Sequence, residues 1–436
     1  MGHITLLITD PTRIAEILLG LGAINLLGVD EKPDGSLTVM IETRNTIQEC
    51  PRCSCVGKPK ERRSQVVTDL AICGRPLHLI WRKRRFLCLN TACLTKSFTE
   101  DEPAIANRRL RLTNRASKWA TLQVGKYGRS VSSVADELGC DWHTVNDAVV
   151  AYGEILVDDP SRIGEVISLG LDKSLFVRQG EFRQQIWTTS IVDSKEGYLL
   201  DMVPGRAAKE SIEWINKRPK SWRDAIKFGT MDLSGPYSKV FDEALPYVRK
   251  VADPFHVVKV ANSKLDECRR RVQHEVFGSR GLAQDPLYRC RKLLSMAAER
   301  LSEKANKKMR GLLEAGDPRG DVMTAQTAKE AVRELYTHTD EKLANQWVDT
   351  LVDTMSDKDY PVEVQSLSRT LKKWKKEIVA WHCSQVSNAP TEAMNNLIKR
   401  TKRIAFGFVN FRNFRIRALL YAGRVNWDLL ESARPY

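Results

Sequence analysis

The spacing of apolar positions changes several times along the chain, and each change marks a different kind of element. Residues 10–20 read as a short helix, with Asp10 as N-cap, Pro11 in the first position and Ile14, Ile17 and Leu18 on one face. Asp34-Gly35 is a turn signal, and residues 37–41 read as a strand running toward Cys50. Residues 75–87 read as another strand, rich in Leu, Ile, Trp and Phe but also in Arg and Lys, and residues 105–155 look helical. From 165 to 255 strand-like runs alternate with helical ones. Strands are expected over 165–171, 182–192 and 197–203, with the turn Asp193-Ser194-Lys195-Glu196-Gly197 joining the last two. A helix at 207–217, a strand at 225–231, a helix at 236–245 and a strand at 247–252 follow. Residues 256–385 are almost wholly helical and highly charged, broken at Gly316-Asp317-Pro318-Arg319-Gly320, and the last fifty residues are helical and strongly basic.

Three strands in a meander followed by alternating helix and strand is the order of the ribonuclease-H-like fold. In that order the first and fourth strands are neighbours. Asp172 ends the first apolar run and Asp232 ends the run of the fourth strand, so the two acids are expected close together. Glu392 lies just before a long basic helix, and acids converging from three elements could hold divalent cations. In-line phosphoryl transfer is served by two such ions about 3.5–4 Å apart, and Mg2+ prefers carboxylate and water oxygens. Asp253, in Val251-Ala252-Asp253-Pro254-Phe255-His256, ends the fifth strand and is the rival acid; it and His256 are left without an assigned role.

Composition sharpens this picture. The chain has 436 residues, room for two to four domains, and a net charge of +15, which suits an anionic partner such as nucleic acid. No stretch approaches the roughly 18 apolar residues needed to cross a bilayer, so no membrane partner and a cytoplasmic location are expected. Of the 10 cysteines, six fall between Cys50 and Cys93. Cys50-Pro51-Arg52-Cys53 is a C-x2-C knuckle, and Cys88 and Cys93 form a C-x4-C pair 35 residues after Cys53. Two close pairs around a strand-rich connector suit a closed, structural four-thiolate Zn2+ site, with Cys55 and Cys73 as possible replacements for a member. Between the pairs, Trp81-Arg82-Lys83-Arg84-Arg85-Phe86 alternates so that Arg82 and Arg84 are candidate phosphate contacts.

Residues 130–150 carry a helix-turn-helix pattern. Ser130 caps a first helix whose inner face is Val134, Ala135 and Leu138; Gly139 makes the turn, Asp141 caps a second helix, and Val145 and Val149 pack back. Trp142, His143 and Asn146 then fall early on the recognition helix, facing a major groove. A basic segment, with Lys399, Arg400, Lys402 and Arg403 directly after Glu392, interleaves cations with Phe406, Phe408, Phe411 and Phe414; the aromatics read mostly as core and the cations as DNA contacts.

These features together resemble the bacterial insertion-sequence transposases with a DDE triad, in the group often written ISL-three. The resemblance covers almost the whole chain. It rests on the two cysteine pairs, the helix-turn-helix, Gly170-Leu171-Asp172, Met231-Asp232 with Pro236-Tyr237, Asp253-Pro254-Phe255-His256, and the run from Ser387 to Asn396 with Lys399-Arg400, Gly407-Phe408 and Phe411. Ala389 departs from it, where glycine is expected. The resemblance implies that Asp172, Asp232 and Glu392 are the catalytic acids, separated by 60 and 160 residues, with a helical insertion in the second interval.

The expectation is a multidomain α+β protein: a zinc-binding domain over 1–100, a helix-turn-helix domain over 101–160, and a ribonuclease-H-like catalytic domain over 161–436 interrupted at about 256–385. It would bind terminal inverted repeats and target DNA as double strands, cut DNA to free 3′-hydroxyls and transfer strands with Mg2+ or Mn2+. It would work as a homodimer or larger assembly in the bacterial cytoplasm, associated with the nucleoid. The rival reading is a DNA-binding regulator with an inactive nuclease fold.

Overall fold

The structure, a computed structural model, describes residues 10–22, 24–278 and 281–435; the apolar stretch ahead of Asp10 lies outside them. The chain is a multidomain α+β protein that divides into two compact units, one made of residues 1–162 with 397–436 and the other of residues 163–396.

The first unit begins with helix α1 (Pro11–Leu19), started where expected: Asp10 accepts from Thr12 N–H at 2.9 Å, and Gly20 closes the helix in the left-handed region. Its sheet contains β1 (Ile24–Glu31), β2 (Leu37–Thr43), β3 (Lys58–Ile72), β4 (Arg75–Leu87) and β5 (Ser97–Thr99). The order is β1-β2-β4-β3, with β5 on the far end of β4. β3 was not foreseen, because its first half, Lys58 to Ser64, is exposed and charged and carries no apolar alternation. Pairing with β4 makes it a strand, through a tight hairpin at Cys73-Gly74 with φ of 52° and 75°. Trp81, fully buried, donates its indole N–H to Thr43 Oγ1 at 3.0 Å.

Residues 105–113 are not helical, against expectation. The backbone there is drawn to the sheet, with Thr68 N–H donating to Arg111 O and Thr113 N–H to Thr68 O. Helices α2 (Asn114–Thr121), α3 (Val131–Leu138) and α4 (Trp142–Val157) follow. Ser130 and Asp141 cap α3 and α4 by accepting from Ser133 N–H and Thr144 N–H, and Gly139 makes the left-handed turn between them.

The second unit is built on β6 (Ser168–Gln179), β7 (Gln184–Asp193), β8 (Tyr198–Pro204), β9 (Phe228–Met231) and β10 (Arg249–Ala252), in the order β10-β9-β6-β7-β8. β6, β7 and β8 form the antiparallel meander, while β9 and β10 run parallel to β6. Helices α5 (Ala208–Asn216), α6 (Lys220–Ala225) and α7 (Gly235–Ala244) connect the strands. One expectation needs correction: Asp172 does not end a strand. β6 continues to Gln179 because β7 keeps pairing with it after β9 has stopped.

After β10 come α8 (Pro254–Phe277), α9 (Pro286–Ser295), α10 (Glu303–Gly316), α11 (Asp321–Glu334), α12 (Glu341–Met355), α13 (Val362–Lys373) and α14 (Lys375–Ser384). The loop at 316–320 is held by Asp317, whose Oδ2 accepts from Val322 N–H and Met323 N–H at 2.9 Å each. Arg271 on α8 ties the block together by pairing with Glu275, Asp321 and Glu363. The apolar cores of these helices and of the sheet are continuous, from Leu171 and Met231 through Leu265 to Ile378. The chain then forms α15 (Ala389–Ile404), α16 (Phe411–Ala422) and α17 (Leu429–Ser432).

Candidate active site

Parallel pairing of β6 with β9 ends at Leu171 opposite Met231. Asp172 and Asp232 are the next residues on the two strands, so they emerge side by side as the ladder stops. Asp172 Oδ1 accepts from Lys173 N–H at 2.7 Å, and its Oδ2 accepts from Asn395 Nδ2 at 2.6 Å. Burial, with the neighbouring charge of Asp232, pushes the Asp172 carboxyl above the usual carboxylate range. Asp232 Oδ2 lies 3.5 Å from Lys173 Nζ, while its Oδ1 is buried with no hydrogen-bond partner. A buried, unsatisfied carboxylate oxygen is costly unless a donor or cation fills the place.

Glu392 reaches this site because the start of α15 packs directly on the sheet. Gly170 permits it: an added Cβ there would collide with Thr391 Oγ1 and come within 3.0 Å of Thr230 Oγ1. Two side-chain bonds then fix the approach. Thr230 Oγ1 donates to Asn388 Oδ1 at 3.2 Å, and Asn388 N–H donates to Asp253 Oδ1 at 3.0 Å. Asp253 is thus the residue that ties the departure of the helical block to its return. Three residues on, His256 Nε2 sits 3.2 Å from Glu392 Oε1. One turn beyond Glu392, Asn395 donates to Asp172 and accepts from Ser190 Oγ at 2.9 Å. Residues three apart share a helix face, so Glu392 and Asn395 face the acids of the strands together.

The four predicted cysteines form a second, tighter cluster. The ligand atoms of Cys50, Cys53, Cys88 and Cys93 all lie within 4.8 Å of one another, and among the described residues they alone form such a group. Cys50 Sγ is 3.9 Å from Cys93 Sγ, and Cys53 Sγ is 3.4 Å from Cys88 Sγ. Tetrahedral zinc with thiolates at about 2.3 Å sets sulfurs about 3.8 Å apart, so the donor set fits that ion. Backbone N–H groups of Arg52 and Cys53 hold the Cys50 thiol down at about 6, whereas burial pushes Cys88 up to about 12. Four thiols this close cannot all ionise without a cation. Cys55 and Cys73 are exposed and stand outside the cluster. Gly57 lets the knuckle close, since a Cβ there would lie 2.6 Å from Phe98 and 2.8 Å from Phe86.

The family model for DDE transposases of the ISL3 group matches residues 169–418, more than half of the chain. The chain belongs to this transposase family. A second model, for the zinc-finger of the transposases IS204, IS1001, IS1096 and IS1165, matches residues 48–93, the segment that holds all four clustered cysteines. Among curated proteins no match was found. The ISL3 transposase assignment and the thiol geometry together support a structural Zn2+ ion. Among the described residues no helix is long and apolar enough to cross a membrane.

The residues expected to meet DNA are placed unequally. Trp142 and His143 are exposed at the start of α4, with their rings edge to face 5.2 Å apart. Asn146 is buried, so it is not displayed beside them. Arg82 is half-exposed, 3.7 Å from Glu42. Arg84 is buried and committed, donating to Thr43 O at 3.0 Å and to Glu100 Oε2 at 3.1 Å. It is a structural cation of the sheet and not one offered to phosphate. Lys399, Arg400 and Arg403 are exposed on α15, and Lys402 is half-buried.

Sequence reasoning missed Lys173, Ser190 and Asn395 in the site. Asn395 had a signal, its i+3 spacing from Glu392 inside the same run. Ser190 had none, since it lies mid-strand among other small polar residues.

Proposed function

We propose that this transposase binds the terminal inverted repeats of its element, cleaves DNA to free a 3′-hydroxyl and directs that hydroxyl at a target phosphodiester. The observation that carries the reading is the bond from Asn395 Nδ2 to Asp172 Oδ2, across 223 residues of chain, which brings the Glu392 helix onto the strand acids. In this reading Asp172, Asp232 and Glu392 hold divalent cations, Mg2+ or Mn2+. The unsatisfied Asp232 Oδ1 and the raised Asp172 are what an acid cluster built for cations should display. Cations bound there would activate the attacking oxygen and neutralise charge on the leaving oxygen. Asn395 orients Asp172, His256 orients Glu392, and Lys173 balances Asp232 until substrate arrives.

The meander β6-β7-β8 with β9 and β10 added beside β6 supports a ribonuclease-H-like reading of the second unit. The capped pair α3 and α4, with Trp142 and His143 exposed, supports a helix-turn-helix that reads a major groove. The domain reading at 1–100, 101–160 and 161–436 stands as part of this proposal, as do assembly on two DNA ends as a homodimer or larger complex and work in the bacterial cytoplasm. Incubating the protein with terminal-repeat duplex and Mg2+, beside Asp232→Asn, tests the chemistry. Nicked and joined products from the parent alone are expected. Tight binding without nicking by the parent would favour an inactive DNA-binding regulator, and nicks without joined products a nuclease that does not transfer strands.

A further inference from the structure

Three of the phenylalanines that follow α15's basic turns have different fates. Phe414 is fully buried, and the ring of Phe408 packs 5.0 Å from it, with the Arg417 guanidinium 5.3 Å from the Phe408 ring. Phe406 is 97% exposed, and Val409 is 94% exposed. Phe406 is not loosely displayed. Its N–H donates to Arg403 O at 3.1 Å, and the N–H of Gly407 donates to Lys402 O at 2.9 Å. This turn holds Phe406 at φ 54° and Gly407 at φ 106°. A bulky residue in the left-handed region is disfavoured, and a ring left in solvent collects none of the stabilisation that burial would give. Neither local preference nor core packing therefore explains Phe406, and strain of this kind is found where a site is pre-formed.

The surroundings identify the partner. The last turns of α15 present Lys399, Arg400 and Arg403 to solvent, and Lys399 and Arg403 have no acidic partner among the described residues. A second copy of the chain meeting this tip face to face would bring like charges together, whereas a polyanion would neutralise them. We propose that Phe406, with Val409 beside it, is an apolar wedge that stacks on an unstacked base of DNA while Lys399, Arg400 and Arg403 hold the flanking phosphates. Apolar side chains inserted at a base step stabilise distorted DNA, aromatic stacking tolerates any base, and cations supply the sequence-independent grip. Phe408 and Phe414 are the anchor that keeps the tip rigid. The inference rests on the DNA-acting reading above and goes beyond it by assigning a role to a residue outside the acid site.

Fluorescence anisotropy with a labelled, fully paired duplex and the same duplex carrying a short unpaired bubble tests it. The parent should prefer the bubble by roughly tenfold, and Phe406→Ala should abolish that preference while changing paired-duplex affinity by less than about twofold. Phe406→Trp should restore it. Phe406→Gly relieves the backbone, so it should melt no lower than the parent and still lose the preference, which separates loss of stacking from loss of fold. Replacing Lys399, Arg400 and Arg403 with Ala should weaken both probes and reduce the salt slope by about 3. Survival of the bubble preference in Phe406→Ala overturns the wedge alone, because paired-duplex binding still stands. Conversion of a DNA-free dimer to monomer by Phe406→Ala, seen by sedimentation, overturns it in favour of a self-contact. A parent that binds neither probe removes the DNA reading and the wedge with it.

Discussion

The thiol cluster draws on two chain-local pairs, three and five residues apart, whereas the acid site collects its members from two strands, the start of α8 and the start of α15. The thiols lie close enough to close around one ion, and the acids do not reach that spacing. The difference fits what each site is proposed to admit. A structural tetrahedral ion needs its four protein ligands and nothing else. Under the proposed function, the acid site would have to leave coordination positions open for a phosphodiester, and without cations its charges would hold one another apart. Local spacing therefore fixes the first, and tertiary packing the second.

Several changes test that contrast. The largest effect is expected at the thiols. Cys53→Ser should empty the site, which metal analysis would show as a fall from about one zinc per chain, since structural zinc binding is worth about 10–16 kcal/mol in small domains. Hydrogen exchange should then rise in the knuckles while the separate core around Trp81 stays protected. Cys55→Ser and Cys73→Ser should keep the metal; loss of zinc in either would mean the ligand set is wrong. At the acids, Asp232→Asn should lower single-turnover cleavage on the order of 10³-fold or more, with DNA affinity unchanged. Gly170→Ala tests the packing that delivers Glu392. Its Cβ would displace Thr391, so cleavage should drop about 10²-fold with a modest fall in Tm, while Gly28→Ala, with open space around it, should do neither. Asn395→Ala removes the bond to Asp172 and should cost roughly tenfold in cleavage and raise the Mg2+ concentration needed, with Asn395→Gln a partial rescue.

The smallest effect is in pH. Burial and the charge of Asp232 raise Asp172, so the folded protein keeps this proton to higher pH than the unfolded chain does. Metal-free stability should consequently fall as pH rises from about 4 through the folded pKa, and Mg2+ should restore it above that range. Urea melts in chelator across that range should show the slope in the parent and lose it in Asp172→Asn. A parent slope of opposite sign would mean the carboxyl is not held protonated by its surroundings.

Much of the site was legible because the residues carry their own marks. The C-x2-C and C-x4-C pairs name their ligands, and apolar runs ending at Asp172 and Asp232 place both acids beside a sheet. The caps at Asp10, Ser130 and Asp141 appear where their side chains demand. Other features left no trace. β3 is a strand only because β4 pairs with it, and residues 105–113 lose their helix to backbone bonds with Thr68. Arg84 looked like a phosphate contact because alternation says which face a residue takes but not what waits there, in this case Glu100.

Sequence alone was enough for most of the elements and for the four clustered cysteines, because these depend on local periodicity and on motifs a few residues long. Tertiary packing alone brings the chain back onto the strands 160 positions after Asp232, at Glu392. That closure depends on space as much as on bonds. Gly170 leaves room for Thr391, Asp253 accepts from Asn388, and Asn395 spans to Asp172. The same distinction separates Phe406 from Phe408 and Phe414, since identical side chains at neighbouring positions differ only in whether the fold has a core to offer them.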